Sequence, residues 1–193
     1  MVLTIRTATI ADLHQISEIH AESIPYSINS ILGIERLNTL YSVFFSNPDH
    51  YLIVAEEGGL IIGFISGTSN YSSLMKEAKG SVSPKQLLVL TRKIGIGQLV
   101  KMSRDWFLID YKFKRLTNFY YFSSWGVREN VNPIAGTLLF RRLLQDTKNT
   151  LKDSIIVNVS FDNEKVIKMY KSLGFKSLDK SLGELILKLS LRK

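Results

Sequence analysis

Asn163-Glu164-Lys165-Val166-Ile167-Lys168-Met169-Tyr170-Lys171-Ser172-Leu173-Gly174-Phe175 is the stretch whose reading decides the fold. It opens on an asparagine, a residue whose side-chain oxygen caps a helix, and closes on Gly174, a helix-stop signal. The run before it, Ile155-Ile156-Val157-Asn158-Val159, is apolar and β-branched and reads as a buried strand. Beyond it, Leu185, Leu187, Leu189 and Leu191 alternate with Ile186, Lys188 and Ser190. That period of two marks another strand, expected to pair with a short one over Phe175–Leu178.

Upstream, Asn118–Val127 is aromatic and β-prone, and Ile134–Lys148 carries Leu138, Leu139, Leu143 and Leu144 on one helical side. Near the start, Leu3–Thr7 reads as a strand. Thr9 can cap a helix whose first turn holds Asp12, and Leu13, Ile16, Ile19 and His20 form its stripe. A second helix is expected from Ile28 to Phe45, stopped by Asn47-Pro48-Asp49. Tyr51–Glu56 and Leu60–Thr68 form a hairpin about Glu57-Gly58-Gly59, and their near-continuous apolarity predicts cover on both faces. Residues 70–117 are basic and helical in pieces. The order predicts an α/β chain with one mixed sheet. No repeat or low-complexity linker divides it, so residues 1–193 read as a single domain.

Composition narrows the function. The absence of cysteine removes disulfides and thiolate metal sites. His14, His20 and His50 are too scattered to predict a metal cluster, so no metal is expected. No basic region precedes a long apolar run at the N-terminus, and Leu60–Ile65 is far short of the roughly 20 residues of a membrane span. A cytoplasmic location is the default expectation. The net charge of +8 comes without a nucleic-acid motif, so nucleic acid is not an expected partner.

The 163–175 segment closely resembles the pattern N-x-x-A-x-x-[LF]-Y-x-x-x-G-F of the GNAT superfamily of N-acetyltransferases. Asn163, Tyr170, Gly174 and Phe175 match, and Val166 and Met169 are apolar replacements at the packing positions. Ile62-Gly63-Phe64-Ile65-Ser66-Gly67-Thr68 looks like the family's central strand, and the likeness extends over most of the chain outside the middle insertion. The helix from Ile31 to Tyr41, with the insertion, resembles a bacterial subgroup associated with surface-polysaccharide genes. The resemblance implies the GNAT fold: a central mixed, mostly antiparallel sheet flanked by helices, here with a helical basic insertion at about 70–117 between the third and fourth strands. It also implies acetyl-CoA as donor substrate, and it allows a homodimer.

The donor's pyrophosphate needs backbone N–H groups at a helix N-terminus, where the dipole favours anions. In the family a [QR]-x-x-G-x-[GA] loop supplies them. Arg92-Lys93-Ile94-Gly95-Ile96-Gly97 fits every letter, whereas Val131-Asn132-Pro133-Ile134-Ala135-Gly136 fits badly. Context selects the second, because one helix and one strand must separate the loop from Asn163, at roughly 25–30 residues of ordinary element lengths. The loop therefore lies within 128–137, with Ala135, Gly136 and Thr137 near the phosphates. It departs from the pattern in its basic residue and its first glycine, and Pro133 removes an N–H. Trp125, Gly126 and Val127 should flank the donor, with Gly126 letting the backbone come close. The family's role for Tyr170 is protonation of the leaving thiolate; a phenol near pKa ≈ 10 holds its proton at neutral pH. Asn163 should cap its helix and touch the cofactor. The general base stays open between Tyr121, Ser124, Glu22 and a water chain.

Within 70–117, Lys76, Lys79, Lys85, Arg92, Lys93, Lys101, Arg104, Lys112, Lys114 and Arg115 face only Glu77, Asp105 and Asp110, so the positive field is local to the insertion. Either this is a solvated face, or it receives an anionic partner: a phosphate-bearing small amine such as a nucleotide-linked amino sugar, an acidic carrier protein, or a peripheral contact with an anionic membrane. The rival reading is a degenerate, non-catalytic GNAT-like binding domain.

Overall fold

The computed structural model describes residues 2–80, 83–148, 150–181 and 183–191; of the insertion, Ser81, Val82 and the side chain of Lys79 lie outside the described residues. The chain runs β1 (Leu3–Thr7), α1 (Leu13–Ser23), α2 (Ile28–Leu32), α3 (Ile34–Ser42), β2 (His50–Glu57), β3 (Leu60–Thr68), α4 (Tyr71–Gly80), α5 (Pro84–Ile94), α6 (Ile96–Lys114), β4 (Phe119–Val127), α7 (Ala135–Lys148), β5 (Ser154–Ser160), α8 (Glu164–Ser172), β6 (Lys176–Ser181) and β7 (Glu184–Ser190). The strands form one sheet in the order β1-β2-β3-β4-β5-β7-β6. Every pairing is antiparallel except β4 with β5. This is the mixed, mostly antiparallel sheet anticipated, with α4, α5 and α6 between the third and fourth strands.

The β2–β3 hairpin turns on Gly58 and Gly59, both at positive φ, the conformation a two-residue turn between twisted strands requires. Alternate residues of β2 then serve opposite faces. Ile53 and Ala55 join the core that α7 covers, with Tyr120, Phe122, Leu139, Leu143, Val157 and Phe175. Leu52 and Val54 join the one that α1 and α3 cover, with Ile16, Ile19, Leu37, Tyr41 and Phe64. A third cluster, Tyr71, Phe113, Phe119, Ile156 and Ile186, seats α4 and α6 on the second half of the sheet. The cover expected on both faces is present.

Two local expectations change. The helix read from Ile28 to Phe45 is broken at Gly33, whose φ of +99° no L side chain adopts readily, and it ends in a 3-10 turn at Val43–Phe45. The short strand read at Phe175–Leu178 is β6, Lys176–Ser181, and Phe175 sits before it in the core. Arg92–Gly97 links two helices rather than a strand to a helix: Gly95, at φ +78°, ends α5 and begins α6. Its fit to the phosphate-loop letters therefore lacks the strand-to-helix setting of such a loop. Among the described residues no helix is long and apolar enough to cross a membrane.

Candidate active site

The one parallel pairing creates the site. β4 and β5 pair only through Phe119, Tyr120 and Tyr121 against Ser154, Ile155 and Ile156. Past that point β4 stays on β3 as far as Val127, and β5 stays on β7 as far as Ser160, so the two strands splay apart. Two helices open at the wide end of the splay, α7 after β4 and α8 after β5. A crevice at the carboxyl ends of adjacent parallel strands, where the chain leaves in two directions, is a natural ligand position in α/β sheets. Opposite the gap, β4 is bulged: Ser124 pairs with Ser66 and Phe122 with Gly67, leaving Ser123 without a partner. A bulge bends its strand and re-aims the backbone.

Trp125, Val127, Ala135 and Gly136 come together at the head of α7. Trp125 stacks on Phe140 of α7, with ring centroids 5.8 Å apart. A Cβ built on Gly136 would lie 3.3 Å from Trp125 Cζ2 and 3.5 Å from Val127 Cγ2. In the turn before α7, Asn132 organises the chain: its carbonyl accepts from Ala135 N–H at 3.1 Å and its side chain from Ile134 N–H at 3.2 Å. The first N–H groups without an acceptor among the described residues are then those of Gly136 and Thr137. Two free donors at the positive end of a helix suit an anion. Gly126 has a different reason from the one its sequence context suggested. A Cβ there would lie 2.8 Å from Phe64 Cε1 and 3.0 Å from both Ile19 Cγ2 and Ser23 Oγ, so the glycine lets α1 close on the sheet. Asn163 caps α8, its Oδ1 accepting from Val166 N–H at 3.3 Å.

The helix α8 runs back along the splay and carries Tyr170 to its closed end. The ring packs against Phe122, Trp125 and Phe175 at 5.9, 6.3 and 5.1 Å. Burial, and after it the nearby hydroxyl of Tyr121, push the Tyr170 phenol well above the usual tyrosine range, so it keeps its proton. Tyr121 reaches the same apex from the opposite face, wedged edge-on against Tyr71 and Phe113. Its hydroxyl donates to Asn158 Oδ1 at 2.9 Å, and Asn158 Nδ2 donates to Glu184 Oε2 at 3.1 Å. Asn158 and Glu184 went unnoticed in the sequence. The available signals were a polar residue inside an apolar strand and a carboxylate at the start of an alternating one.

The base candidates separate clearly. Glu22 is tied to Arg128, Oε1 to Nη1 at 3.0 Å, and the same guanidinium holds Glu18 at 2.8 Å. Tyr121 is pushed above its ordinary value by burial first and then by Glu184, which makes it a poor proton acceptor. Ser124 lies over a buried polar string in which the Tyr41 hydroxyl meets Ser124, Ser66 and His20. Burial pushes His20 down to about 4, so its ring is neutral at pH 7. His50, also buried, bonds Thr68 Oγ1 at 2.9 Å, away from the gap. No group of three His, Asp or Glu side chains among the described residues is arranged to hold a metal ion. A surface cavity of about 370 Å³ beside Asp49, Asn70, Lys114 and Lys152 lies toward the opposite end of β4 from the splay; it shares the Tyr71 and Phe113 rings with the packing of Tyr121 but none of the base candidates.

No family model matches the sequence, and no curated protein matches it. Solved structures do. PaiA N-acetyltransferase of Thermoplasma acidophilum, determined in complex with coenzyme A, superposes with a TM-score of 0.64 at 17% identity, over 98% of this chain and 99% of that one. An N-acetyltransferase of Staphylococcus aureus gives 0.62 at 16% identity over the whole of both chains. YncA of Salmonella typhimurium, determined with its cofactor acetyl-CoA, gives 0.61 at 16% identity, over all of this chain and 96% of that one. At these identities the likeness speaks to the architecture, and with the seven-stranded sheet split between β4 and β5 it means that the chain has the GNAT fold.

Proposed function

We propose that the chain is an acyl-CoA-dependent N-acyltransferase that moves an acetyl group from acetyl-CoA to the amine of a small acceptor. The observation that carries this reading is the apex of the splay, where Tyr170 arrives from one face and Tyr121 from the other, at the closed end of a gap whose open end carries the free N–H groups of Gly136 and Thr137. The donor would lie along the gap, its pyrophosphate on Gly136 and Thr137 with Ala135 beneath, its pantetheine arm beside Trp125, Gly126 and Val127, and Asn163 at the far wall. The amine nitrogen's lone pair attacks the thioester carbon, the C–N bond forms, and the C–S bond breaks with its electron pair on sulfur. Tyr170 gives its proton to that sulfur, and the surplus proton of the attacking amine restores the phenol. Net, one proton passes from nitrogen to sulfur. A proton donor so placed is typically worth roughly 10²–10⁴-fold in rate.

The acceptor we propose is anionic away from its amine, with a nucleotide-linked amino sugar as the leading class and an acidic carrier protein or anionic membrane surface as other sources of the same charge. Part of the insertion's charge is already used: Lys112 pairs with Asp179 at 2.7 Å and Lys114 with Asp110 at 2.9 Å. Arg92 and Lys101 are exposed. With a nucleotide-linked amino sugar, the acceptor KM should rise with salt, since exposed charges are screened within about 10 Å at about 0.1 M. Arg92→Glu with Lys101→Glu should raise KM at low salt and spare donor binding. A KM indifferent to both reduces the insertion to a solvated cover, and sedimentation with anionic vesicles alone assigns it to a membrane. We place the reaction in the cytoplasm, in one domain spanning 1–193, with a homodimer compatible with the fold.

A second reading has its own observation. Pro133, Val131 and Ile134 stand where a phosphate loop has an N–H, a basic side chain and a glycine, and Arg128, the next cation upstream, is committed to Glu18 and Glu22. A domain that keeps the fold and binds a partner without turnover would look like this. Thermal stabilisation by submillimolar acetyl-CoA separates the two, because only a ligand of the folded chain raises the midpoint.

A further inference from the structure

We infer that Tyr121 receives the acceptor amine, and that Glu184, acting through Asn158, is the positioning residue that decides which way the Tyr121 hydroxyl points. The inference rests on the acetyltransferase reading above and adds an acceptor-side role to it.

Hydrogen-bond polarity carries the argument. An ionised carboxylate only accepts. Glu184 Oε2 must therefore face the amide nitrogen of Asn158, as it does at 3.1 Å. The amide's other end, Oδ1, is then left to face Tyr121, and an amide oxygen only accepts. Tyr121 must be the donor, across 2.9 Å. Its proton points out of the reaction path, and its oxygen keeps a lone pair for the gap. The location follows from register. Tyr121 is the last β4 residue to pair with β5, while Asn158 lies on β5 beyond the last paired residue there, Ile156. The hydroxyl thus bridges the two strands just where they part, next to Tyr170. A neutral amine attacking there carries N–H bonds as well as its lone pair. One N–H donated to Tyr121 aims the lone pair at the carbonyl carbon, while Tyr170 faces the sulfur. Tyr121 keeps its own proton throughout and takes no part in the proton balance.

The groups around Glu184 agree with this role. The carboxylate is half-buried at the start of β7; Asn158 faces it from β5 and Asp105 from α6, with Arg104 at 3.3 Å from Asp105. Burial first, and then Asp105, hold the Glu184 carboxyl above the usual carboxylate range, against the opposing effect of the Asn158 bond. As pH falls Glu184 takes up a proton early and can donate. The amide can then turn over, Asn158 donates to Tyr121, and the Tyr121 proton swings into the gap, where it repels an amine N–H. The chain Glu184–Asn158–Tyr121 therefore sets an acid limb on the rate.

The test uses acetyl-CoA with hydroxylamine, a small amine acceptor neutral at pH 7, and follows thiol release across pH, with the uncatalysed reaction subtracted and rates expressed per concentration of unprotonated amine. Tyr121→Phe keeps the ring against Tyr71 and Phe113 and should lower kcat/KM for hydroxylamine roughly tenfold, the worth of one neutral hydrogen bond, with acetyl-CoA affinity unchanged. Glu184→Met, of similar size but with no oxygen to accept from Asn158 and no group to titrate, should cost a similar factor and remove the acid limb. In the double variant the losses should not multiply, because both act on one hydrogen bond. Melting temperatures of all three confirm that folded protein is compared. Glu184→Met with wild-type kinetics and an intact acid limb, or losses that multiply in the double variant, would overturn the inference while leaving the acetyltransferase reading in place. Failure of the unaltered chain to bind acetyl-CoA would overturn that reading and the inference with it.

Discussion

Tyr170→Phe should lower kcat by roughly 10²–10⁴-fold and leave acetyl-CoA affinity within about twofold, an interaction lost only in the transition state. The ring's neighbours explain why the effect should be so selective. Phe122, Trp125 and Phe175 surround it, Phe175 edge-on at 5.1 Å, and all of these contacts survive in phenylalanine. Only the hydroxyl is lost, the group whose proton burial and the neighbouring Tyr121 hold in place. Single-turnover thiol release, with donor binding measured separately by calorimetry, distinguishes loss of the proton donor from loss of the site. An unchanged rate would leave Tyr170 as a packing ring and return the proton to solvent.

Gly136→Asp should weaken acetyl-CoA binding by at least about tenfold without unfolding the chain. A carboxylate in the first turn favours the helix dipole, by about 0.3–1 kcal/mol at an exposed position, so α7 itself should tolerate it. Its Cβ would lie 3.3 Å from Trp125 Cζ2, close enough that the indole edge must give slightly. The cost falls on the ligand. Two unit charges at about 4 Å repel by roughly 4 kcal/mol at the effective dielectric of a protein surface, and salt reduces this. The loss should therefore shrink as ionic strength rises. Gly136→Ala, with the same Cβ and no charge, should retain most of the affinity. Full affinity in Gly136→Asp would move the pyrophosphate away from the head of α7.

Parts of this site could be read directly from the chain because they are locally encoded. The strand Ile155–Val159, the Asn163 cap and the Gly174 stop are neighbours in sequence, and the helix between them is where it was expected. The β2–β3 hairpin and the period of two in β7 are equally local. What escaped depends on distant contacts. β6 is exposed along nearly its whole length, so no alternation of apolar residues marked its extent. The break at Gly33 is a backbone choice within an otherwise helical pattern. The close approach of α1 that requires Gly126 involves Ile19 and Phe64, far away in sequence. Glu184 acquires meaning only because β7 lies beside β5 and brings it to Asn158. The choice of 128–137 over Arg92–Gly97 rested on the spacing of elements. The expected order of elements is present, with α7 following the splayed strand, while Pro133 and Ile134 make this the poorer match in letters.

The claim on which all the chemistry depends is that this split sheet binds acetyl-CoA. Isothermal titration of the unaltered chain with acetyl-CoA tests it most directly. The account predicts a single saturable site per chain, with Kd within roughly 1 μM–1 mM, the usual range of enzyme–substrate affinities, and an affinity that weakens in Gly136→Asp. Folded protein that shows no saturable heat at millimolar acetyl-CoA would contradict it.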